Sequence, residues 1–266
     1  MENFLITKYF FAPSGSFDAC GMFTSQHIIA TLICVALIAV CLFIVFKTNR
    51  LNICKLLRYS AVILTILELI KISHSFIYKD MHLDAWFPLS YCGLFIFALW
   101  MAGFGENHIK RAGEAYITYG CPIAGICFLI FPTTSLMSFP IWHYFSIYSL
   151  FFHSLMIFVG IRLLLNEPKL DKATYFFYFA FVLFFALISI TMNIIFGCNL
   201  MNLREPYNIP IQLLQDIYSA FNPAYTVIGL AFSLISFADH RFFGAAKDVS
   251  APCPAKLKRI CPLFNA

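Results

Sequence analysis

The sequence predicts an all-α fold, a polytopic bundle of membrane helices, on three observations. Hydrophobic residues make up 61% of the 266 and charged residues only 12%, with 32 phenylalanines, which leaves too little polar surface for a soluble chain of this length. Seven runs reach the roughly 20 apolar residues that a bilayer core of about 30 Å requires. None of them shows the period-two alternation of a barrel strand, and in lipid only helices and closed barrels satisfy the backbone.

The runs are 27–46, 57–78, 86–104, 113–131, 141–165, 173–197 and 222–240. The fourth and seventh contain Gly and Pro, so the prediction is seven transmembrane helices with six as the fallback. They form one integral membrane domain over 1–266, with an amphipathic lead-in at 1–26 and a basic tail at 241–266. The lead-in is not a secretory signal, because one early Lys and a short apolar patch run into Pro13 and Gly15 without a long apolar core. There is no clear internal repeat. The two halves lack matching broken helices, which speaks against an inverted-repeat transporter.

Orientation follows from the placement of Lys and Arg. Of the eighteen, fourteen fall in one set of loops and the tail, three (Lys8, Lys79, Arg204) fall on the other side, and Lys71 lies within the second run. The split predicts a multi-pass protein of the cell membrane with its N-terminus outside and its C-terminus in the cytoplasm. The net charge of +5 is then a topology signal and not a nucleic-acid footprint. The ten cysteines include no C-x-x-C pair, and most lie in apolar runs, so neither a disulfide framework nor a metal site is expected, and no cofactor is implied. No feature fixes an oligomeric state.

Ionisable groups in a bilayer mark functional positions. His27 opens the first run. Glu68, Lys71 and His74 lie in the second, with Glu68, Lys71 and Ser75 at i, i+3 and i+7 on one helical face. Ser146, Ser149 and His153 repeat that spacing in the fifth. Asn193 nears the end of the sixth, and Arg204 and Asn222 follow in the loop and at the start of the seventh. Cys92 lies six residues past Trp86, the expected interface anchor, hence about 9 Å deep, and His153 about 15 Å below His143. All of these fall in the outer half of the membrane, and the inner halves hold little that compares. Two polar stripes predict a cavity open to the outside. Each has a plain structural alternative: an ion pair for Glu68 and Lys71, a helix contact for each histidine, and packing for Cys92.

Six segments in order carry a resemblance: "FTSQHIIA", "LELIK", "PLSYC", "FFHSLMIF", "MNIIFGCNLMNLREP" and "FNPAY". Together they resemble the YwaF-like bacterial integral membrane proteins, related to the transmembrane protein 164 acyltransferase family. The resemblance implies a seven-helix enzyme that moves a fatty acyl group between phospholipids of the bilayer. It also implies that Cys92 takes the acyl group and that His153 activates it. Gly93 stands where the bacterial relatives are expected to have an acid, and "YSAFNPAY" where they are expected to have a "GPWPW"-like stretch. The chemistry suits the residues, since a thiol in apolar surroundings needs a basic neighbour to become a thiolate. In this scheme Glu68 orients the imidazole or pairs with Lys71, Asn193 or Asn222 donates to the oxyanion, and Arg204 holds the lipid phosphate. Two other readings remain open: a lipid ester hydrolase on the same site, and a non-catalytic membrane binding or carrier protein.

Overall fold

A computed structural model describes residues 8–48, 52–79, 83, 87–165, 172–206 and 212–234. Trp86 and the basic tail at 241–266 lie outside these. Among the described residues every regular element is helical: α1 (Ser25–Thr48), α2 (Ile53–Ile77), α3 (Leu94–Phe104), α4 (Asn107–Tyr119), α5 (Cys121–Ile130), α6 (Ser135–Ser138), α7 (Tyr144–Leu164), α8 (Lys172–Phe196), α9 (Gln212–Ala220) and α10 (Asn222–Leu234), with a 3-10 turn at Leu200–Asn202. Four stretches are long and apolar enough to cross a membrane: Ser25–Thr48, Asn107–Ser138, Tyr144–Leu164 and Ala173–Phe196.

Side-chain contacts fix the direction of each helix. The end of the bundle that holds His27, His74 and His143 is termed upper. His74 near the end of α2 and His143 at the start of α7 meet over the Ala12 carbonyl, so α2 runs up and α7 down. At the lower end Arg58 of α2 donates through Nε to the Gly103 carbonyl at 2.7 Å, so α3 runs down. His27 at the start of α1 reaches the Leu129 carbonyl at the end of α5, so α4 and α5 run up. Close approach of backbones locks these helices together. A Cβ on Gly113 would come within 2.5 Å of the Ala98 carbonyl oxygen, and one on Gly125 within 2.8 Å of that of His153. Small residues of this kind let membrane helices pack by dispersion where no hydrophobic force drives them.

Two predicted spans differ from the structure. The third is not one helix from 86: residues 87–93 are non-helical and the helix begins at Leu94. Pro88 lacks a backbone donor, and Ser90 Oγ accepts from the Gly93 N–H at 2.9 Å, so the chain turns on itself before it coils. A Cβ on Gly93 would meet the Pro88 carbonyl oxygen at 2.7 Å, which explains why a side chain at this position does not fit the turn. The fourth is two helices joined at Gly120, with Pro122 in the first turn of α5. Non-helical backbone at membrane depth persists only where it is buried in protein or lines a cavity. The predicted outward opening is crossed by the N-terminal segment, whose Phe11 ring lies 5.0 Å from that of Tyr144.

Candidate functional site

Cys92 sits in the turn just ahead of α3, half-buried, and not a turn and a half into a helix. The turn is held from three sides. Tyr116 of α4 donates its hydroxyl to the Tyr91 carbonyl. The Tyr91 hydroxyl lies 2.9 Å from that of Tyr178, which donates to the Ser233 carbonyl at 2.8 Å, so Tyr91 is the donor of the pair. The Met201 N–H donates to the Leu89 carbonyl at 3.1 Å. Met201 and Asn202 both have positive φ, 55° and 51°, a conformation non-glycine residues adopt only when surroundings enforce it.

His153 projects from α7 and is 7% exposed. Its Nδ1 lies 2.7 Å from the carbonyl of Ser149, one turn earlier. A carbonyl only accepts, so Nδ1 carries the proton and the neutral ring presents Nε2 as a bare acceptor. No residue among those described takes Nε2. Phe128 of α5 stacks face-on at a centroid distance of 3.6 Å and Phe152 closes in at 5.3 Å, so the ring plane is fixed.

The two candidates converge on the same part of the bundle. Phe95, three residues below Cys92, packs edge-on against Phe152, the residue before His153, with centroids 5.7 Å apart. His153 stacks on Phe128 of α5, and Cys92 packs against the buried cluster that includes Cys121 and Ala124 of the same helix.

Glu68 and Lys71 form an ion pair, Nζ to Oε1 at 2.5 Å. The other carboxylate oxygen accepts from the Tyr148 hydroxyl at 2.6 Å. Tyr144, one turn above, stacks parallel to Tyr148 and donates to the Leu67 carbonyl at 2.6 Å. The imidazole of His153 is therefore oriented by Ser149, while Glu68 serves Tyr148 and Lys71. Lys71 keeps about a quarter of its side chain exposed.

Four of the five remaining predicted residues hold backbone. His27 accepts from the Phe23 N–H through Nδ1 at 3.1 Å and donates through Nε2 to the Leu129 carbonyl at 3.0 Å. His74 spans the Phe11 and Ala12 carbonyls at 3.1 and 3.2 Å. Asn193 takes the Leu200 N–H at 2.7 Å and gives its amide to the Leu200 carbonyl at 3.1 Å, which folds the chain after α8 back into the bundle. Arg204 is exposed, with Nη1 on the Gly197 carbonyl. Asn222 opens α10 on the surface.

With this geometry in view, comparison with known families is decisive. A match spans residues 22–238, most of the sequence. The chain belongs to the TMEM164 family. It is a multi-pass membrane protein, as that membership and the four long apolar helices require. Searches of curated proteins and of solved structures give no significant match.

Reading only ionisable groups missed the tyrosines of this TMEM164-family protein. Tyr91, Tyr116 and Tyr178 form hydroxyl contacts around the turn that holds Cys92, and Tyr148 reaches Glu68 from the helix that carries His153. Arg162 is also buried in the lower half. A usable signal was present: "PLSYC" places a tyrosine directly before the cysteine, and Tyr144 and Tyr148 are spaced i, i+4 on the helix that carries His153.

Proposed function

We propose that this protein is a membrane-embedded acyltransferase that moves a fatty acyl group between phospholipids through a thioester on Cys92. The observation that carries the reading is the unspent Nε2 of His153, on a ring whose tautomer and plane are both fixed, stacked on α5, the helix that gives Cys121 and Ala124 to the cluster Cys92 packs against. Nε2 accepts the thiol proton as Sγ attacks the ester carbonyl carbon of the donor lipid. The carbonyl electron pair moves onto oxygen. As it returns, the ester C–O bond breaks and the leaving lysophospholipid oxygen takes the proton from His153. The acceptor hydroxyl then gives its proton to Nε2 and attacks the thioester, and the Cys92 sulfur leaves and is reprotonated.

Lys71 and Arg204 are the cations for the lipid phosphate, and Asn193 and Asn222 are side-chain amides at the same end of the bundle. The Lys and Arg split orients the protein in the cell membrane with seven spans, its N-terminus outside and its C-terminus cytoplasmic.

The test is intact mass spectrometry of the purified protein after incubation with a phospholipid labelled in one acyl chain. A hydroxylamine-labile adduct on Cys92, with label passing to added lysophospholipid, is the expected result. Label released only as free fatty acid would make the protein a hydrolase. Lipid binding with no adduct would make it a carrier and end the acyl-enzyme reading.

A further inference from the structure

We infer that Tyr116 is a positioning residue for acyl transfer, holding the Tyr91–Cys92 peptide so that the Cys92 N–H faces the oxyanion of the tetrahedral intermediate. This rests on the acyl-enzyme reading above. Tyr116 is fully buried, and its ring is wedged between Phe181 at 4.7 Å and Tyr91 at 5.6 Å. Its hydroxyl has one partner, the Tyr91 carbonyl. That carbonyl and the Cys92 N–H are the two ends of one planar peptide, so a bond that fixes the first aims the second.

The neighbouring donors are already spent. The Gly93 N–H is held by Ser90 Oγ and the Leu94 N–H by the Ser90 carbonyl at 3.1 Å. The Cys92 N–H has no carbonyl partner among the described residues. Once Sγ bonds to the ester carbon, the oxygen that gains charge is attached to the atom beside this N–H. Donation from Tyr116 to the carbonyl also polarises the peptide and strengthens its N–H as a donor.

Loss of an oxyanion donor lowers kcat by roughly 10²–10³. A peptide that is released but not removed retains part of that, so Tyr116→Phe should acylate Cys92 about 10-fold more slowly at saturating lipid, with KM unchanged. Alkylation of Cys92 by iodoacetamide, which forms no oxyanion, should keep its wild-type rate. Tyr178→Phe also removes a buried hydroxyl but leaves the Tyr91 carbonyl held, and should acylate within about twofold of wild type. Incorporation of 3-fluorotyrosine at 116 keeps the bond, tests the site without a lost hydroxyl, and should sustain the wild-type rate. The proposal fails if Tyr116→Phe acylates normally, if its alkylation slows in step with acylation, or if Tyr178→Phe is equally slow. Absence of any Cys92 adduct in the wild-type protein would remove the acyl-enzyme reading and this inference together, an outcome distinct from the other three.

Discussion

At the upper rim His27, His74 and His143 each give a ring N–H to a backbone carbonyl of another segment, while in the middle of the bundle His153 gives its Nδ1 proton to a carbonyl of its own helix. His27 and His143 also use Nδ1, to accept from the Phe23 and Phe145 N–H groups. The rim histidines are thus clamps between elements, buried because their donors and acceptors are matched. His153 clamps nothing and keeps one nitrogen unspent. Depth alone does not separate the two kinds, since all four rings are under 10% exposed. The partner does: each rim ring reaches a carbonyl of another segment, and His153 reaches one of its own helix.

The largest test of that contrast is removal of the mid-bundle groups. His153→Ala and Cys92→Ser should each lower acyl transfer by about 10³-fold, within the range for loss of a general base or nucleophile. Both should leave the folded yield unchanged, as read by size-exclusion profile and lipid turnover per folded molecule. An unfolded His153→Ala would make that ring a clamp like the others.

Next in size is the scaffold behind His153. Gly125→Leu drives a side chain into Ile157 Cγ1, already 2.5 Å from the position of a Cβ, and into the backbone of α7. Overpacking of this kind destabilises by about 3 kcal/mol. A drop in the thermal midpoint should accompany it, together with a slower Cys92 acylation. Wild-type midpoint would mean that α5 and α7 separate without penalty.

The Glu68–Lys71 pair bridges the two regions. Glu68→Gln leaves an ammonium without its carboxylate, and the double variant with Lys71→Met should recover part of the loss, with a coupling of about 2 kcal/mol. Additive losses in a double-mutant cycle would show two independent side chains.

A smaller effect belongs to the rim. His143→Leu should cost about 1 kcal/mol, because the Ala12 carbonyl it leaves is still held by His74. Turnover per folded molecule should stay within about twofold, and a 10³-fold loss there would erase the distinction between rim and middle. Smallest of all, Cys41→Ser on the exposed face of α1 should change stability by less than about 0.5 kcal/mol, the ordinary range for surface positions, and leave the thermal midpoint near wild type.

Several features follow from the sequence by itself. Apolar run lengths without the period-two alternation of a barrel strand determine the helical membrane class, because lipid admits only helices and closed barrels. The i, i+3 spacing of Glu68 and Lys71 determines their ion pair, since both ends lie on one helix and no third element is needed. The order of the short segments around His27, Cys92 and His153 determines the family. What the sequence left open depends on contacts far apart along the chain. Hydropathy treats 86–104 as one span, because Pro88 and Gly93 are too few to lower its average; only the close approach of Pro88 O to Gly93 shows a turn there. The tyrosines around Cys92 carry no charge, so a search for ionisable groups in apolar runs passes over them, and their hydroxyls gain meaning only when three other helices bring partners to them. The four histidines look alike as letters in apolar runs. Which ones are spent on backbone is decided by the carbonyls of residues up to 131 positions away, and no local rule reaches that far.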